Sequence, residues 1–324
     1  MRFFLVFVFL LSSLFAKDDY VLGEGYQVGD LPIYVGGYFS LDYQKKDERD
    51  RFRVDDIAFL SYGGTNTFSY MFELEFKELY VKTDDNGVKT TTKNEKLYVE
   101  RMYVDYNIND NYQLRLGKYN SPIGFWNLMP INVLRETSSS PLVIDVIFPK
   151  FTTGIDVGYN SFEDGEIKVD LIFQDNSTID DEYNNYDVVK HYGVGISYEL
   201  DNYTFKANLG YFANRNKDDY TYALLSARYE DDNYQFLAEV GAQRSEYNEH
   251  NYAGYVQGLY RFSEQHIGII RLESFEIERQ NLDDAIAIFG YTYRPLYPIA
   301  LKSEYQLHTI NDENQFIFSL SVLF

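Results

Sequence analysis

The sequence predicts an all-β fold: a transmembrane antiparallel β-barrel of about sixteen strands whose long third loop folds inward. Three observations point there. Segments of about ten residues with apolar side chains at alternate positions recur along the chain, and that is the length of a tilted strand spanning a bilayer. Beyond the N-terminus no stretch approaches the run of about twenty apolar residues that a membrane helix needs, so any membrane-spanning form must be a closed barrel. The chain also ends on Gln315–Phe324 (QFIFSLSVLF), in which Phe316, Phe318, Leu320, Val322 and Phe324 share one face. An apolar strand left unpaired at the end of a soluble protein would fray and invite aggregation, whereas a barrel closes it.

Composition agrees. The 324 residues include 32 tyrosines and 25 phenylalanines, with 18% aromatic and 24% charged residues. A soluble core has no need of so many tyrosines, but a barrel uses them as girdles at both membrane interfaces. With no cysteine, disulfides and thiolate metal sites are excluded. A formal net charge of −21 argues against nucleic acid as a partner.

Taken in order, Met1-Arg2, the apolar Phe3–Leu11 and the small-residue end at Ala16 read as a secretory signal peptide over 1–16, leaving 17–324 as the barrel. A lead from Lys17 to Leu31 precedes the first strand, Ile33–Gln44. The next are Arg51–Tyr62 and Phe68–Leu79; the latter alternates Phe68, Tyr70, Phe72, Leu74 and Phe76 with polar residues. A polar connection, Val81–Glu95, leads to Lys96–Asn107 and Tyr112–Tyr119. After the long connection Asn120–Lys150 come Phe151–Asn160 and Glu166–Gln174, then a further connection, Asp175–Val188. The remaining strands are Val189–Leu200, Tyr203–Asn214, Tyr220–Tyr229, Tyr234–Ser245, Tyr252–Phe262, Ile267–Glu276, Ala285–Arg294, Ile299–Thr309 and Gln315–Phe324. Short turns near Gly64, Asp110, Asp164, Asp201, Asp231, Glu264 and Pro295 alternate with connections of equal or greater length, as an even-numbered barrel requires. Tyr112, Tyr203, Tyr234 and Tyr252 open strands, while Tyr62, Tyr106, Tyr198 and Tyr229 lie near strand ends, where a ring can sit in the apolar band with its hydroxyl at the headgroups.

A charge facing hydrocarbon is costly, so the less apolar face of each strand must be the lumenal one. That phase turns Arg51, Arg53, Arg101, Arg115, Lys206, Arg228, Arg261, Arg271, Arg294 and Lys302 inward, together with Glu73, Glu75, Asp105, Asp170, Glu239, Glu273 and Glu304. For most of them a lumenal ion pair that stiffens the wall is the expected role.

Asn120–Lys150 is long for a connection with no task and is apolar for an exposed one, with Phe125, Trp126, Leu128, Met129 and the run Pro141–Phe148 (PLVIDVIF). Such a loop must bury itself, and the lumen of a sixteen-strand barrel has room; the outer rim or a neighbouring subunit is the alternative. Folded inward, it narrows the pore and presents residues from among Arg135, Glu136, Asp145 and Lys150.

The stretch Arg115–Trp126 (RLGKYNSPIGFW), with Gly117, Lys118, Pro122 and Gly124, together with the signal peptide, the long third loop and the terminal Phe324 strand, resembles the Gram-negative outer-membrane porins of the phosphate-selective type and their relatives. The architecture covers the mature chain; the motif covers only a dozen residues. The resemblance implies a homotrimer, an inward constriction loop and a C-terminal phenylalanine read by the barrel-assembly machinery. The chain departs from that pattern in charge: the loop carries as many acids as bases, where a phosphate-selective pore carries a dense ladder of lysine and arginine.

The expected function is passive diffusion of small hydrophilic solutes and ions across the outer membrane, with lipid as the surrounding partner. Arg53, Arg101, Arg115, Lys118, Arg135, Glu136, Asp145 and Lys150 are the candidate pore-lining and constriction residues. A structural or adhesive barrel without an open pore is the competing class. An enzyme is not expected. His191, His250, His266 and His308 fall on separate segments, and no Gly-x-Ser-x-Gly elbow, phosphate-binding glycine loop or spaced metal-ligand cluster occurs, so neither cofactor nor metal is called for. The surface acidic pairs Asp84-Asp85 and Asp231-Asp232 read as solvated turns, with calcium as the alternative.

Overall fold

The computed structural model describes residues 20–162, 165–216, 218–311 and 313–324; the signal-peptide segment 1–16 lies outside them. Sixteen antiparallel strands form one closed wall. They are β1 (Ile33–Lys46), β2 (Arg49–Gly64), β3 (Phe68–Asp85), β4 (Leu97–Asn107), β5 (Tyr112–Asn120), β6 (Phe151–Ser161), β7 (Glu166–Gln174) and β8 (Val188–Leu200). The wall continues through β9 (Tyr203–Asn214), β10 (Asp219–Glu230), β11 (Tyr234–Ser245), β12 (His250–Arg261), β13 (His266–Ile277), β14 (Leu282–Leu296), β15 (Ile299–His308) and β16 (Gln315–Leu323).

Each strand pairs with its neighbours in sequence, and β16 pairs with β1 from Phe316 opposite Lys45 to Leu323 opposite Tyr38. The last residue completes the seam. The Phe324 N–H donates to the Gly37 carbonyl and the Gly37 N–H to the Phe324 carbonyl, each at 2.7 Å. Gly37 is needed there, because a Cβ would lie 2.3 Å from the Ala58 carbonyl oxygen and 3.0 Å from the Phe324 ring. Beyond Phe324 the edge of β1 is taken over by the lead. Tyr20–Val21 pairs with Gly25–Gln27, and Tyr26 and Gln27 pair with Val35 and Tyr34.

Period two governs the wall. On β9, Tyr203, Phe205 and Leu209 are exposed, whereas Thr204, Asn208 and Phe212 are buried. The outward set forms a band of exposed apolar side chains, with Leu225 61% and Leu209 58% accessible, as hydrocarbon contact favours. Aromatic pairs cross neighbouring strands at the short-turn end: Tyr34–Tyr62 at 5.4 Å, Tyr112–Tyr159 at 5.0 Å, Tyr203–Tyr229 at 4.9 Å and Tyr234–Tyr260 at 4.9 Å. These form a girdle along one rim.

Two expectations are corrected. Val81–Glu95 is not a loose polar connection: β3 runs on to Asp85, and Val88–Lys93 folds back against Tyr80–Asp85. Asn86 and Gly87, both at positive φ (51° and 83°), make the turn, a hairpin chemistry that an Asn-Gly pair carries. The strict inward and outward phase also breaks within β1–β4. Register shifts fall between Phe39 and Leu41, between Val54 and Asp56, and between Glu73 and Leu74. Each is a β-bulge that turns consecutive residues to the same face.

Candidate functional site

The loop from Ser121 to Lys150 leaves β5 and returns to β6. Its neck is closed by the Ser121 N–H on the Lys150 carbonyl (2.8 Å), and the Asn127 amide donates to both carbonyls of that neck. Two 3-10 turns, Trp126–Leu128 and Asn132–Leu134, and one helical turn, Val143–Val146, give it local shape. The loop crosses the lumen to the far wall. Ile123, Phe125, Trp126, Val143, Ile147 and Phe148 pack into one apolar cluster with inward side chains of β9 to β14, among them Phe212, Leu224, Tyr255 and Ile288. Removing this much apolar surface from water holds the loop inside the barrel.

Inward charges of the wall clamp the loop's backbone. Lys206 Nζ donates to the Gly124 carbonyl (3.0 Å), and Glu239 accepts from the Phe125 N–H. Gly124, at φ +66°, fits because a Cβ would come within 2.6 Å of Glu239 Oε1. Arg271 donates to Thr137 Oγ1 (3.1 Å) and Ser139 Oγ (2.6 Å), with its guanidinium 5.4 Å from the Trp126 ring. Glu304 accepts from the Ser138 and Ser139 N–H groups, and Lys302 is buried on the Asn132 side chain (2.7 Å). A second connection, 175–187, braces the first. Asn185 donates to the carbonyls of Ile144, Asp145 and Phe148. Tyr186 donates to the Val146 carbonyl (2.5 Å), and burial raises its pKa, which keeps the phenol protonated.

Beside the loop lies a polar cavity of about 550 Å³, bounded by β1–β4 and by residues of β13–β16; a smaller one of about 270 Å³, next to Phe125, Leu128 and Met129, is lined by Glu166, Lys168, Glu199, Lys206 and Arg228. The walls of the larger cavity carry the carboxylates of Asp42, Asp55, Asp56, Glu75, Glu100 and Glu273. The bases on the same walls are Arg53, Lys77, Arg135, Lys150 and the imidazole of His308, so acids outnumber bases by six to five. Arg53 is committed to acids: it bonds Asp42 (2.7 Å), Asp55 (2.9 Å) and Glu78 (3.1 Å).

The candidate residues divide by position. Arg53, Arg135 and Lys150 line the cavity. Arg135 Nη1 donates to Ser140 Oγ (2.9 Å), and Lys150 pairs with Asp145. Glu136 is drawn to the wall by Arg294 (3.1 Å). Arg101 is buried against Glu73. Arg115 chelates Asp105 at 2.7 and 2.9 Å, with its guanidinium 4.2 Å from the Tyr103 ring, away from the cavity. Lys118 has no exposed surface and donates to the carbonyls of Val99 (2.7 Å) and Asp180 (2.5 Å). Of the surface acids, Asp231 is a turn residue. The Tyr234 N–H, the Tyr229 hydroxyl and the Asn233 N–H bond its carboxylate and hold it below the usual range. Asp84 lies 3.7 Å from Lys89 across the extra hairpin.

Sequence phase missed Asp55, Asp56 and Glu100, which share the cavity wall. Their signal is the charged doublet. Asp55-Asp56 and Glu100-Arg101 lie in mid-strand, where strict alternation would put one charge of each pair into lipid; a bulge avoids that cost. The buried Glu73, Glu75 and Glu100 converge as a result, with one oxygen from each within 4.8 Å of the others.

No family model and no curated protein matches the chain. Solved structures do. The anion-selective porin from Comamonas acidovorans superposes with a TM-score of 0.63 at 11% identity, over 90% of this chain and 99% of that one. Salmonella typhi OmpF, solved in complex with daunomycin, gives a TM-score of 0.64 at 11% identity over 90% and 97%. The outer-membrane channel DcaP of Acinetobacter baumannii gives 0.61 at 12% over 93% and 100%. Likeness at such identities concerns the fold, and the closed sixteen-strand barrel of this chain is the fold of the outer-membrane porins.

Proposed function

We propose that the chain is a passive diffusion channel of the Gram-negative outer membrane, exported by cleavage near Ala16, that passes small hydrophilic solutes and favours cations. One observation carries this reading: the larger polar cavity between the inward loop and the walls of β1–β4 and β13–β16, which holds more carboxylates than cations. A lumenal excess of fixed negative charge raises the local cation concentration and repels anions, the more so where low-dielectric walls focus the field. Phosphate selectivity would need the opposite balance. The bases that a sequence count offers to a pore are instead spent on carboxylates, as at Arg53 and Arg101, or on loop carbonyls, as at Lys206. The exposed apolar band and the aromatic rim support a lipid surround. A homotrimer is part of the proposal; the Vibrio cholerae outer-membrane protein OmpT, similar in fold at 10% identity and a TM-score of 0.61, was solved in a trimer form.

Purified protein in planar bilayers should give discrete conductance steps, and a KCl gradient should give a reversal potential of the cation-selective sign. Replacing Asp55 and Asp56 with asparagine should move that potential toward zero. A barrel that never conducts would instead support the structural or adhesive reading, and an anion-selective potential would reverse the proposed preference.

A further inference from the structure

We propose that Glu73, Glu75 and Glu100 form a divalent-cation site of calcium type in the barrel wall, loaded from the lumen. Glu73 and Glu75 project from one face of β3, and the bulge opposite Glu73 turns Glu100 of β4 to the same side. The site borders the lumenal cavity, which Glu75, Glu100 and Tyr38 all line.

The hydrogen bonding leaves oxygens for a ligand. Tyr38 Oη donates to Glu75 Oε2 (2.8 Å) and lies 3.1 Å from Glu100 Oε2. Arg101 Nε takes Glu73 Oε2. Glu73 Oε1 and Glu75 Oε1 lie buried without a hydrogen bond of good geometry, with the Tyr183 phenol and the carboxyls of Glu100 and Asp56 beside Glu75. A buried carboxylate oxygen without a donor is uncommon in a folded protein and calls for an ion, a water or a proton. Charge favours the ion: three carboxylates crowd together with Arg101 as the guanidinium bonded among them, and Asp56 adds a fourth acid on the neighbouring strand.

The donor set identifies the class of cation. All the ligands are hard carboxylate oxygens, with no histidine or cysteine, which selects calcium or magnesium over zinc or copper. Between the two, calcium is the better match, because it accepts six to eight oxygens in flexible geometry, whereas magnesium demands a near-ideal octahedron and gives up its water reluctantly. The three side chains fill one side of the ion, and lumenal water completes the shell. A bound divalent ion would also lower the negative charge of the wall that the channel reading uses, but the site itself does not depend on conduction.

The test is direct binding to the refolded full chain in detergent, stripped with EDTA and titrated with calcium chloride by equilibrium dialysis with radioactive calcium. The unmodified protein should show one saturable site per chain, and Glu75→Gln and Glu100→Gln should each weaken it at least tenfold, with refolding checked by heat-modifiable gel mobility. Absence of saturable binding to the unmodified protein overturns the proposal and leaves shared protons to neutralise the cluster. Undiminished binding by the variants also overturns it, since the calcium then sits elsewhere, as on the surface acidic turns. Should the variants fail to refold, terbium soaked into crystals of the unmodified protein decides: anomalous density among the three carboxylates supports the site, and density elsewhere or none refutes it. Conductance enters none of these readouts, so this proposal and the channel reading can fail separately.

Discussion

Arg271 has no exposed surface, and its hydrogen bonds leave its own strand for Thr137 and Ser139 of the loop. Its alternation phase marks it as inward, but only the folded chain gives it a partner. Glu273, two positions on, stands 3.8 Å away and accepts the Leu142 N–H. Replacing Arg271 with alanine removes the donors that hold Ser139 and leaves Glu273 with less compensation in a buried setting. We expect a loss of about 3–5 kcal/mol, the usual cost of removing one member of a buried ionic cluster. Denaturant unfolding of the refolded protein in micelles measures it. A change below about 0.5 kcal/mol would mean that apolar packing alone holds the loop.

Strand phase survives across most of the wall because lipid punishes error: a slip of one residue exposes charge to hydrocarbon. The bulges in β1–β4 were hidden because an inserted residue leaves no apolar gap, only a doublet of charge. They occur beside the cavity, where turning both residues of a doublet inward concentrates acids on one wall. Closure of the barrel is also an event between elements, since β16 must find β1 across the whole chain. Ile317 and Leu323, apolar on the polar face of β16, make sense only there. Leu323 packs with Tyr38 of β1 and with Ile131 and Val133 of the loop, and Ile317 lines the cavity. Substituting Gly37 with valine, or deleting Phe324, should cut the yield of heat-modifiable folded barrel while leaving the conductance of the molecules that do fold unchanged. Normal folding yield in both would show that the seam tolerates losing its last pair.

For the whole molecule, the loop divides the lumen unequally. The apolar cluster that binds the loop to β9–β14 takes one side, beside a small cavity lined by Lys168, Lys206 and Arg228, and the other side keeps the larger polar cavity. Removing Pro130–Pro141 takes away Asn132, Thr137 and Ser139, the partners of Lys302 and Arg271, while Gly124, Phe125, Val146 and Ile147 stay anchored to β9 and β11. Single-channel conductance in bilayers should rise; an unchanged value would mean that ions do not pass along this part of the loop.

Alternation, length and the sign of each face were enough to determine the barrel, its strand number and the direction of most charges, because a wall between lipid and water constrains every second residue. The apolar excess of Asn120–Lys150 likewise marked a loop that must bury itself. Which inward charges face open solvent was decided only in three dimensions. Lys118 and Arg101 look like pore residues in one dimension, yet one lies under the 175–187 connection and the other is held by Glu73. Three of the acids that shape the cavity, Asp55, Asp56 and Glu100, came from bulges, and pairing across strands is what no single strand's pattern records.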